Sequence, residues 1–136
     1  MQVNIQWQNG AAFEVEARGH RVVCDQPQDN GGEDSGLTPP EFLLAALGSC
    51  VAYYAAEYLK TRNLNRDGLK VRVEAEKALQ PARLAQFRIE LQLPAGLDQR
   101  HREGALRAGQ RCLVHNTLLH APSIEIAVAE APAVAA

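Results

Sequence analysis

The sequence has few cysteines, almost no net charge and no apolar leader at its start. The 14 lysines and arginines nearly balance the 16 aspartates and glutamates, so nothing indicates a nucleic acid or an acidic membrane as a partner. Residues 1–7 have neither a basic nor an apolar signal region, and we therefore expect a cytoplasmic protein without a secretory signal. Three widely spaced cysteines do not make a framework of structural disulfides. We interpret them as thiols, some of them redox-active.

The length and the pattern of the chain indicate one α+β domain. A chain of 136 residues can bury a core without crosslinks, and we assign residues 1–130 to the domain and residues 131–136 to a flexible tail. Alternation of apolar and polar residues predicts a three-stranded meander, a hairpin and a final strand, placed at residues 3–7, 13–17, 21–24, 69–78, 87–93 and 123–128. The other segments are a loop, a second and more exposed helix, and a short helical turn, at residues 25–37, 98–108 and 112–119. Strands and helices are segregated, which is typical of α+β folds.

The remaining stretch, residues 38–62, predicts a buried central helix. Thr38, Pro39 and Glu41 supply an N-cap, a proline at the first helical position and the third residue of a capping box. Residues 42–56 are apolar on nearly every face, which is typical of a helix buried on all sides. The run is too short and too rich in alanine to span a bilayer, which needs about 20 strongly apolar residues. Because one sheet covers only one side of a helix, we expect a second subunit on the other side.

Cys50 lies in the middle of this helix, directly after the small residues Gly48 and Ser49. The thiolate is the nucleophile in cysteine chemistry, and free thiols are mostly protonated at neutral pH. Cys50 is too far from the start of the helix for the helix dipole to stabilise a thiolate. A reactive Cys50 therefore needs a cation from elsewhere in the protein. The alternative is that Cys50 is a small apolar residue of the core.

The central helix carries a family resemblance. The run Pro40-Glu41-Phe42-Leu43-Leu44-Ala45-Ala46-Leu47-Gly48-Ser49-Cys50 resembles the OsmC/Ohr family of osmotically inducible proteins and organic hydroperoxide resistance proteins. A later cysteine before an apolar stretch and a last strand is similar to the second signature of that family, here Cys112-Leu113-Val114 and Ile124-Glu125-Ile126. An upstream pattern resembles the broader OsmC-like branch, namely Gly19-His20, Asp25, Gly31-Gly32, Pro39 and Glu41. The resemblance covers nearly the whole chain.

The resemblance implies an OsmC-like fold in an intertwined homodimer, with the two central helices buried together and the active site at the interface. It also implies a thiol peroxidase of oxidative or osmotic stress defence, with no metal and no organic cofactor. The cysteine matching Cys50 would attack the hydroperoxide, and the one matching Cys112 would resolve the sulfenic acid as a disulfide, which prevents irreversible over-oxidation. An external thiol would then reduce the disulfide.

The resemblance further implies an arginine from the N-terminal strands beside the thiolate, held by a glutamate near the helix start. Arg18 and Arg21 lie in that region; we prefer Arg18, and the alternative for both is an exposed surface charge. Glu41 is near the position of the family glutamate, which here is occupied by Pro40. On a straight helix Glu41 and Cys50 lie on opposite sides, about 13 Å apart along the axis. Glu41 is therefore either part of the site or only the capping partner of Thr38.

The remaining candidate residues have weaker patterns. Cys24 matches no family cysteine, and we interpret it as structural. His115 and Cys112 have a spacing that can bind zinc, but no second ligand pair accompanies them, so we expect no metal. The tyrosines of the central helix either line an apolar pocket near Cys50 or pack at the edge of the helix: Tyr53, Tyr54 and Tyr58.

Three functions stay open at this stage. The first is a thiol-dependent peroxidase that reduces organic hydroperoxides. The second is a non-catalytic dimer that binds a small apolar or thiol-reactive ligand. It is favoured by the shifted position of Glu41 and because neither Arg18 nor Arg21 lies in a clear copy of the family's arginine motif. The third is a structural or stress-induced dimer with inert cysteines.

Overall fold

The computed structural model describes residues 1–135, which form two antiparallel sheets and three α-helices. The first sheet is a meander of three strands: β1 (Asn4–Asn9), β2 (Ala12–Ala17) and β3 (His20–Cys24). The second sheet is a hairpin of two strands: β4 (Lys70–Ala78) and β5 (Arg83–Gln92). The helices are α1 (Pro39–Lys60), α2 (Gln99–Gly109) and α3 (Leu113–Leu119). The predicted α+β class, the meander, the hairpin and the helices are confirmed.

The first sheet has one apolar face, and that face is largely open to solvent within this chain. The strand register aligns side chains of all three strands on it: Ile5, Trp7, Phe13, Val15, Val22 and Cys24. Ile5, Trp7 and Val22 are each more than half exposed. Pro39 and Phe42, at the start of α1, line a groove of about 450 Å³ together with part of this face. This groove is where the first sheet approaches α1, near the N-terminal end of the helix.

A buried carboxylate organises the loop between β3 and α1. Asp25 is 1% exposed, and its oxygens accept hydrogen bonds of 2.7–3.1 Å from the backbone N–H groups of Gln26, Glu33 and Ser35 and from the Ser35 hydroxyl. The Asp25 N–H donates in turn to the Leu37 carbonyl at 3.1 Å. These bonds fold the loop back on itself, so the end of β3 lies beside the residue that precedes the cap of α1.

Helix α1 packs on the β4–β5 hairpin through a single buried stripe. The stripe consists of residues spaced four apart: Leu47, Val51, Ala55 and Leu59. Gly48 allows the close approach of helix and strand, because a Cβ atom at this position would lie 2.9 Å from Val73 Cγ2. This packing holds the middle of α1 against the face of the hairpin.

The prediction that α1 is buried on all sides is wrong for the described chain. Leu43 is 37% exposed and Tyr53 is 62% exposed, because the hairpin and the other helices cover only one side of α1. The prediction that this helix is too short to span a bilayer is also wrong, since the helix has 22 residues and an 18-residue window with a mean hydropathy of 1.4, which suffice by length and composition. Core helices of soluble domains share these properties, so they are weak evidence for a membrane span.

Helices α2 and α3 complete the core around α1. The Asp98 carboxylate caps α2 by accepting from the His101 N–H at 2.8 Å, and Ala105 of α2 is fully buried against Ala55 and Leu59. A short turn then leads to Cys112, which precedes α3 and packs against α1. The chain between α2 and α3 therefore returns to the middle of the central helix.

The prediction of a final strand over residues 123–128 is wrong for the described chain. Residues 121–135 form neither strand nor helix, and Ile124, Ile126 and Val128 are 81–97% exposed. The alternating sequence has the pattern of a strand, but no strand within residues 1–135 pairs with it, and an unpaired strand is not stable on its own. The predicted tail, residues 131–136, ends at Ala136, which lies outside the described residues.

Candidate functional site

Cys50 lies on α1 at the edge of the buried stripe. It is half-buried, and it packs against the core cluster of Leu47, Val51 and Cys112. The helix repeat places Cys50 beside Leu47 and Val51 rather than on the opposite side of the helix. The thiol is therefore neither fully enclosed nor on the open surface.

Cys112 is the fully buried member of the pair. It is 0% exposed and immediately precedes α3, where its Sγ accepts a hydrogen bond from the His115 N–H at 3.2 Å. Burial raises the pKa of the Cys112 thiol; the His115 N–H acts in the opposite direction, and the neighbouring Cys50 raises the pKa further. The net effect favours the protonated thiol of Cys112 at neutral pH.

The fold brings the two thiols together although they are far apart in the sequence. Cys50 and Cys112 belong to the same apolar cluster, and both are free thiols. Partly buried side chains of the hairpin and of the two helices surround them: Tyr54, Val71, Val73, Phe87, Ile89 and Val114. No cationic side chain within residues 1–135 donates a hydrogen bond to either sulfur. The environment of the pair is therefore apolar and uncharged within one chain.

Two clefts flank this pair of thiols. One, of about 360 Å³, lies between α1 and β4 and includes Gly48, Ser49 and Val73 in its lining. The other, of about 200 Å³, lies between α1, β5 and α2 and includes Val51, Phe87 and His115. The lining of neither cleft includes Cys50 or Cys112. Neither cleft therefore opens directly onto a sulfur atom. An apolar molecule reaches the pair through the exposed part of Cys50.

Glu41 forms the capping box with Thr38 that its position in the sequence predicts. Its carboxylate Oε2 accepts from the Thr38 N–H at 2.8 Å, the reciprocal half of a capping box. The backbone N–H of Thr38 holds the pKa of the Glu41 carboxyl below its usual value. Within the described chain no arginine forms an ion pair with Glu41. Its capping role is thus visible, while a role at the thiols stays a prediction.

Arg18 and Arg21 lie on the β2–β3 hairpin. Arg18 occupies the turn itself with a left-handed φ of 54°, next to Gly19 at 83°, a pair of positive φ values that suits a tight hairpin. Arg21 pairs with Glu14 at 3.8 Å on the face of the sheet opposite the apolar one. Neither arginine has a hydrogen bond or ion pair with Cys50, Cys112 or Glu41 within the described residues. A cation from these strands therefore does not reach the thiols of the same chain through any such contact.

Cys24 and the tyrosines have the surroundings of structural side chains. Cys24 is buried at the end of β3, where burial and then the charge of Asp25 raise the pKa of its thiol. Tyr54 packs against the Cys50 cluster and makes an edge contact with Tyr53. Tyr58 instead contacts α2, with its hydroxyl 3.2 Å from His101 Nδ1. Of the three tyrosines, Tyr54 is thus the one that packs beside the candidate thiols.

His115 has a feature that sequence reasoning did not foresee. Its Nδ1 atom is buried and lacks a hydrogen-bond partner within the described residues, although buried polar atoms are normally paired. No group of three or more histidine, cysteine, aspartate or glutamate side chains within residues 1–135 is placed to hold a metal. Asp25 was named only as part of the family pattern. Its organising role in the loop was not predicted, because the burial of one carboxylate leaves no mark in the local sequence pattern.

Comparisons with known proteins agree with this architecture. A family model described as OsmC-like protein matches residues 32–127, whereas none of the curated proteins matches the chain. A Psychrobacter arcticus structure, described as a candidate osmotic stress induced and detoxification response protein, superposes with a TM-score of 0.78 at 18% identity, covering 86% of this chain and 87% of that one.

Two further solved structures are similar. An OsmC-like protein from Mycoplasma pneumoniae gives a TM-score of 0.75 at 16% identity, over 88% of this chain and 87% of that chain. An organic hydroperoxide resistance protein OsmC from Legionella pneumophila gives 0.60 at 16% identity, over 88% and 90%. At identities this low, the superpositions show a common fold and no more. The family model, however, covers well over half of the sequence. The chain therefore belongs to the OsmC-like protein family.

Proposed function

We propose that this protein is a thiol-dependent peroxidase that reduces organic hydroperoxides, with Cys50 as the nucleophile and Cys112 as the resolving thiol. Membership of the OsmC-like family supports a redox-related stress role. The observation that carries the proposal is the meeting of the two free thiols in one apolar cluster. Their burial fits the proposed order of use, because the half-buried Cys50 is the one that a substrate can reach first.

The proposed reaction has two covalent steps. The Cys50 thiolate attacks the terminal oxygen of the hydroperoxide, the O–O bond breaks, and the products are a Cys50 sulfenic acid and an alcohol that takes up one proton. The Cys112 sulfur then attacks the Cys50 sulfur and releases water, which leaves a Cys50–Cys112 disulfide. The hydroperoxide is reduced by two electrons, and the two cysteines are oxidised by two. An external dithiol or two monothiols return both cysteines to the reduced state.

The apolar surroundings of the pair match the substrate class. Val71, Val73, Phe87 and Ile89 offer no hydrogen-bonding side-chain atoms, so an alkyl group is accommodated at less cost than hydrogen peroxide, which would lose its hydrogen bonds to water. The raised pKa of Cys112 keeps that residue as a thiol until the sulfenic acid forms beside it. Of the two thiols of the pair, Cys50 is therefore the one that must be converted to a thiolate before the reaction can start.

Activation is proposed to come from a second copy of the chain. The cation that Cys50 needs is assigned to Arg18 of the partner subunit, with Arg21 of the partner subunit as the alternative, and Glu41 would orient it at the helix start. The open apolar face of the first sheet and the exposed Leu43 and Tyr53 support such an assembly, because exposed apolar patches of this kind mark protein interfaces. The active site would then be shared by two subunits.

One observation favours a second candidate function. Within residues 1–135 no cationic side chain donates a hydrogen bond to either thiol, so the apolar cluster by itself is better suited to bind an apolar or thiol-reactive ligand than to reduce it. In that case Cys50 would form an adduct slowly and without turnover. The two candidates differ in whether a disulfide follows one equivalent of hydroperoxide.

The decisive experiment adds one equivalent of cumene hydroperoxide to the reduced protein and maps cysteine pairs by mass spectrometry. We expect rapid formation of the Cys50–Cys112 disulfide and release of one equivalent of alcohol. Cys112→Ser should still consume one equivalent and accumulate a sulfenic acid that a dimedone probe traps. Cys50→Ser should consume none.

Cys24→Ser is the matched control, because Cys24 is also buried but belongs to a different part of the protein. It should leave the rate and the disulfide unchanged. If wild type keeps Cys50 free while an alkylating probe still labels it, the ligand-binding function replaces the peroxidase. If Cys50 also resists alkylation in the native protein, the cysteines are inert and both proposals fail.

A further inference from the structure

Four arginines surround one cleft at the C-terminal end of α1, away from the cysteine pair. The cleft has a volume of about 320 Å³ and lies where the end of α1 meets α2. The lining residues that matter here are Tyr58, Arg62, Arg100, Gly104, Arg107 and Arg111. Tyr58 is about 12 Å from Cys50 along the helix axis, so this cleft is separate from the proposed peroxidase site.

The floor of the cleft is built from Tyr58 and Gly104. A Cβ atom on Gly104 would lie 2.0 Å from the Tyr58 hydroxyl oxygen, so only glycine lets the phenol approach α2 this closely. The hydroxyl is 3.2 Å from Nδ1 of His101, which fixes the far end of the ring. The ring is therefore held in place without any ligand.

Arg62 is held in the cleft by contacts that leave its charge unneutralised. Its guanidinium lies 3.7 Å from the centre of the Tyr58 ring, and its Nη1 donates to the Tyr58 carbonyl and to the Thr61 hydroxyl, both at 3.1 Å. A guanidinium stacked on an aromatic ring is oriented but keeps donors free for an anion. Arg62 is thus positioned in advance of binding.

The positive charge of the cleft is not balanced by the protein. Within residues 1–135 the only carboxylate paired with any of the four arginines is that of Glu103, 3.7 Å from Arg107, in an exposed pair that contributes little. The chain as a whole has a net charge of −2, yet among the described residues no acidic side chain lines the cleft. Four guanidinium groups around one concave surface repel one another unless an anion joins them.

We propose that this cleft binds a small molecule carrying two linked phosphate groups. Guanidinium forks match phosphate oxygens in pairs and form charge-assisted hydrogen bonds that are roughly twice as strong as neutral ones. Two linked phosphate groups carry several negative charges at neutral pH, so they offset more of the charge of four arginines than a monocarboxylate would. The cleft volume is at the small end of the range of about 300–1,000 Å³ for ligand sites, which fits a diphosphate rather than a larger cofactor.

The test is a calorimetric titration of the full-length protein with inorganic diphosphate at fixed ionic strength. Wild type should bind with a saturable, single-site isotherm. Arg100→Gln and Arg111→Gln should each weaken binding by about tenfold, because each removes one charge-assisted contact. Both side chains are exposed, so the variants should fold, which circular dichroism checks.

Arg102→Gln provides the matched control, because Arg102 is on the same helix and exposed but does not line the cleft. It removes the same charge and should leave the affinity unchanged. An equal loss in Arg102→Gln would mean nonspecific attraction and would overturn the site, as would the absence of saturable binding to wild type. Citrate binding as tightly as diphosphate would overturn the assignment to phosphate. A nucleoside diphosphate that binds more tightly than inorganic diphosphate would identify an organic ligand as the source of the two phosphates.

Discussion

Asp25 illustrates how much one side chain contributes to this architecture. It is the one buried charged residue of the described core, and it accepts four hydrogen bonds from its own loop. The bonds from Ser35 contribute most to holding the pKa of Asp25 at about 2, below the ordinary 3.8. Because the carboxylate form is required, the loop that leads into α1 depends on the charge of this residue.

The first prediction at this scale concerns acid. Since the pKa of Asp25 is lower in the folded protein than in the unfolded chain, its stabilising contribution is complete above the unfolded value of 3.8 and is lost as the pH falls towards about 2. Asp25→Asn should therefore be less stable than wild type at neutral pH, and the gap should narrow in acid. Urea unfolding at a series of pH values measures this. Asp29→Asn, an exposed change in the same loop, should run parallel to wild type; a constant gap for Asp25→Asn would contradict the argument.

At the scale of single residues, some features of the site could be predicted from the sequence and others could not. The sequence motif singled out Cys50, whereas its contact with Cys112 depends on α3 returning to α1, which no local pattern predicts. Glu41 was predicted as a cap from its spacing to Thr38, and the hydrogen bond is present. The buried charge of Asp25 and the unpaired Nδ1 of His115 were not foreseeable, because both follow from packing by distant segments.

At the level of elements, alternation predicted the hairpins well. The alternating runs of β1 and β2 and of β4 and β5 act locally, so the sequence pattern suffices. The strand at residues 123–128 failed because pairing needs a neighbour, which a pattern in one segment cannot supply. The burial of α1 was overestimated for the same reason, since composition describes which faces are apolar but not which faces are covered.

The buried stripe of α1 gives a prediction for stability. Leu47 is 2% exposed and contacts both Val51 and Cys112, so Leu47→Ala should lower the free energy of unfolding by about 2–5 kcal/mol through lost burial and a residual cavity. Chemical denaturation measures the change. The control is Leu79→Ala, at a residue that is 80% exposed in the β4–β5 turn, which should stay within about 0.5 kcal/mol of wild type. Equal effects of the two substitutions would mean that α1 does not pack as described.

The whole molecule has apolar surface that one chain does not cover. The open face of the first sheet, one side of α1 and the segment over residues 123–128 are separate in sequence, yet all expose large apolar side chains. The proposed homodimer would cover them together. It would also give the unpaired segment a strand to pair with, which explains why its alternation is present without a strand in the single chain.

The corresponding prediction is a dimer that weakens when a charge enters this segment. Ile126 is 91% exposed in the single chain, and burying an isoleucine at an interface contributes about 1.5–3 kcal/mol, so Ile126→Asp should weaken dimerisation by about tenfold or more. Sedimentation equilibrium measures the dissociation constant. Val134→Asp adds the same charge at another exposed position and should have no effect. A monomeric wild-type protein at micromolar concentration would contradict the assembly and, with it, the supply of Arg18 by the partner subunit.

The sulfur of Cys112 has two roles, as a helix cap and as the resolving thiol, and a disulfide with Cys50 would interfere with the first. It caps the N-terminus of α3 by accepting from the His115 N–H, and in the proposed cycle it also becomes bonded to Cys50. Helix α3 has seven residues, none of them fully buried, and in its first turn Val114 is the side chain that packs against the core cluster. If disulfide formation moves the Cys112 sulfur towards α1, the hydrogen bond from the His115 N–H is lost and the first turn of α3 frays. Oxidation of the thiol pair would then change the structure of one short helix at the protein surface.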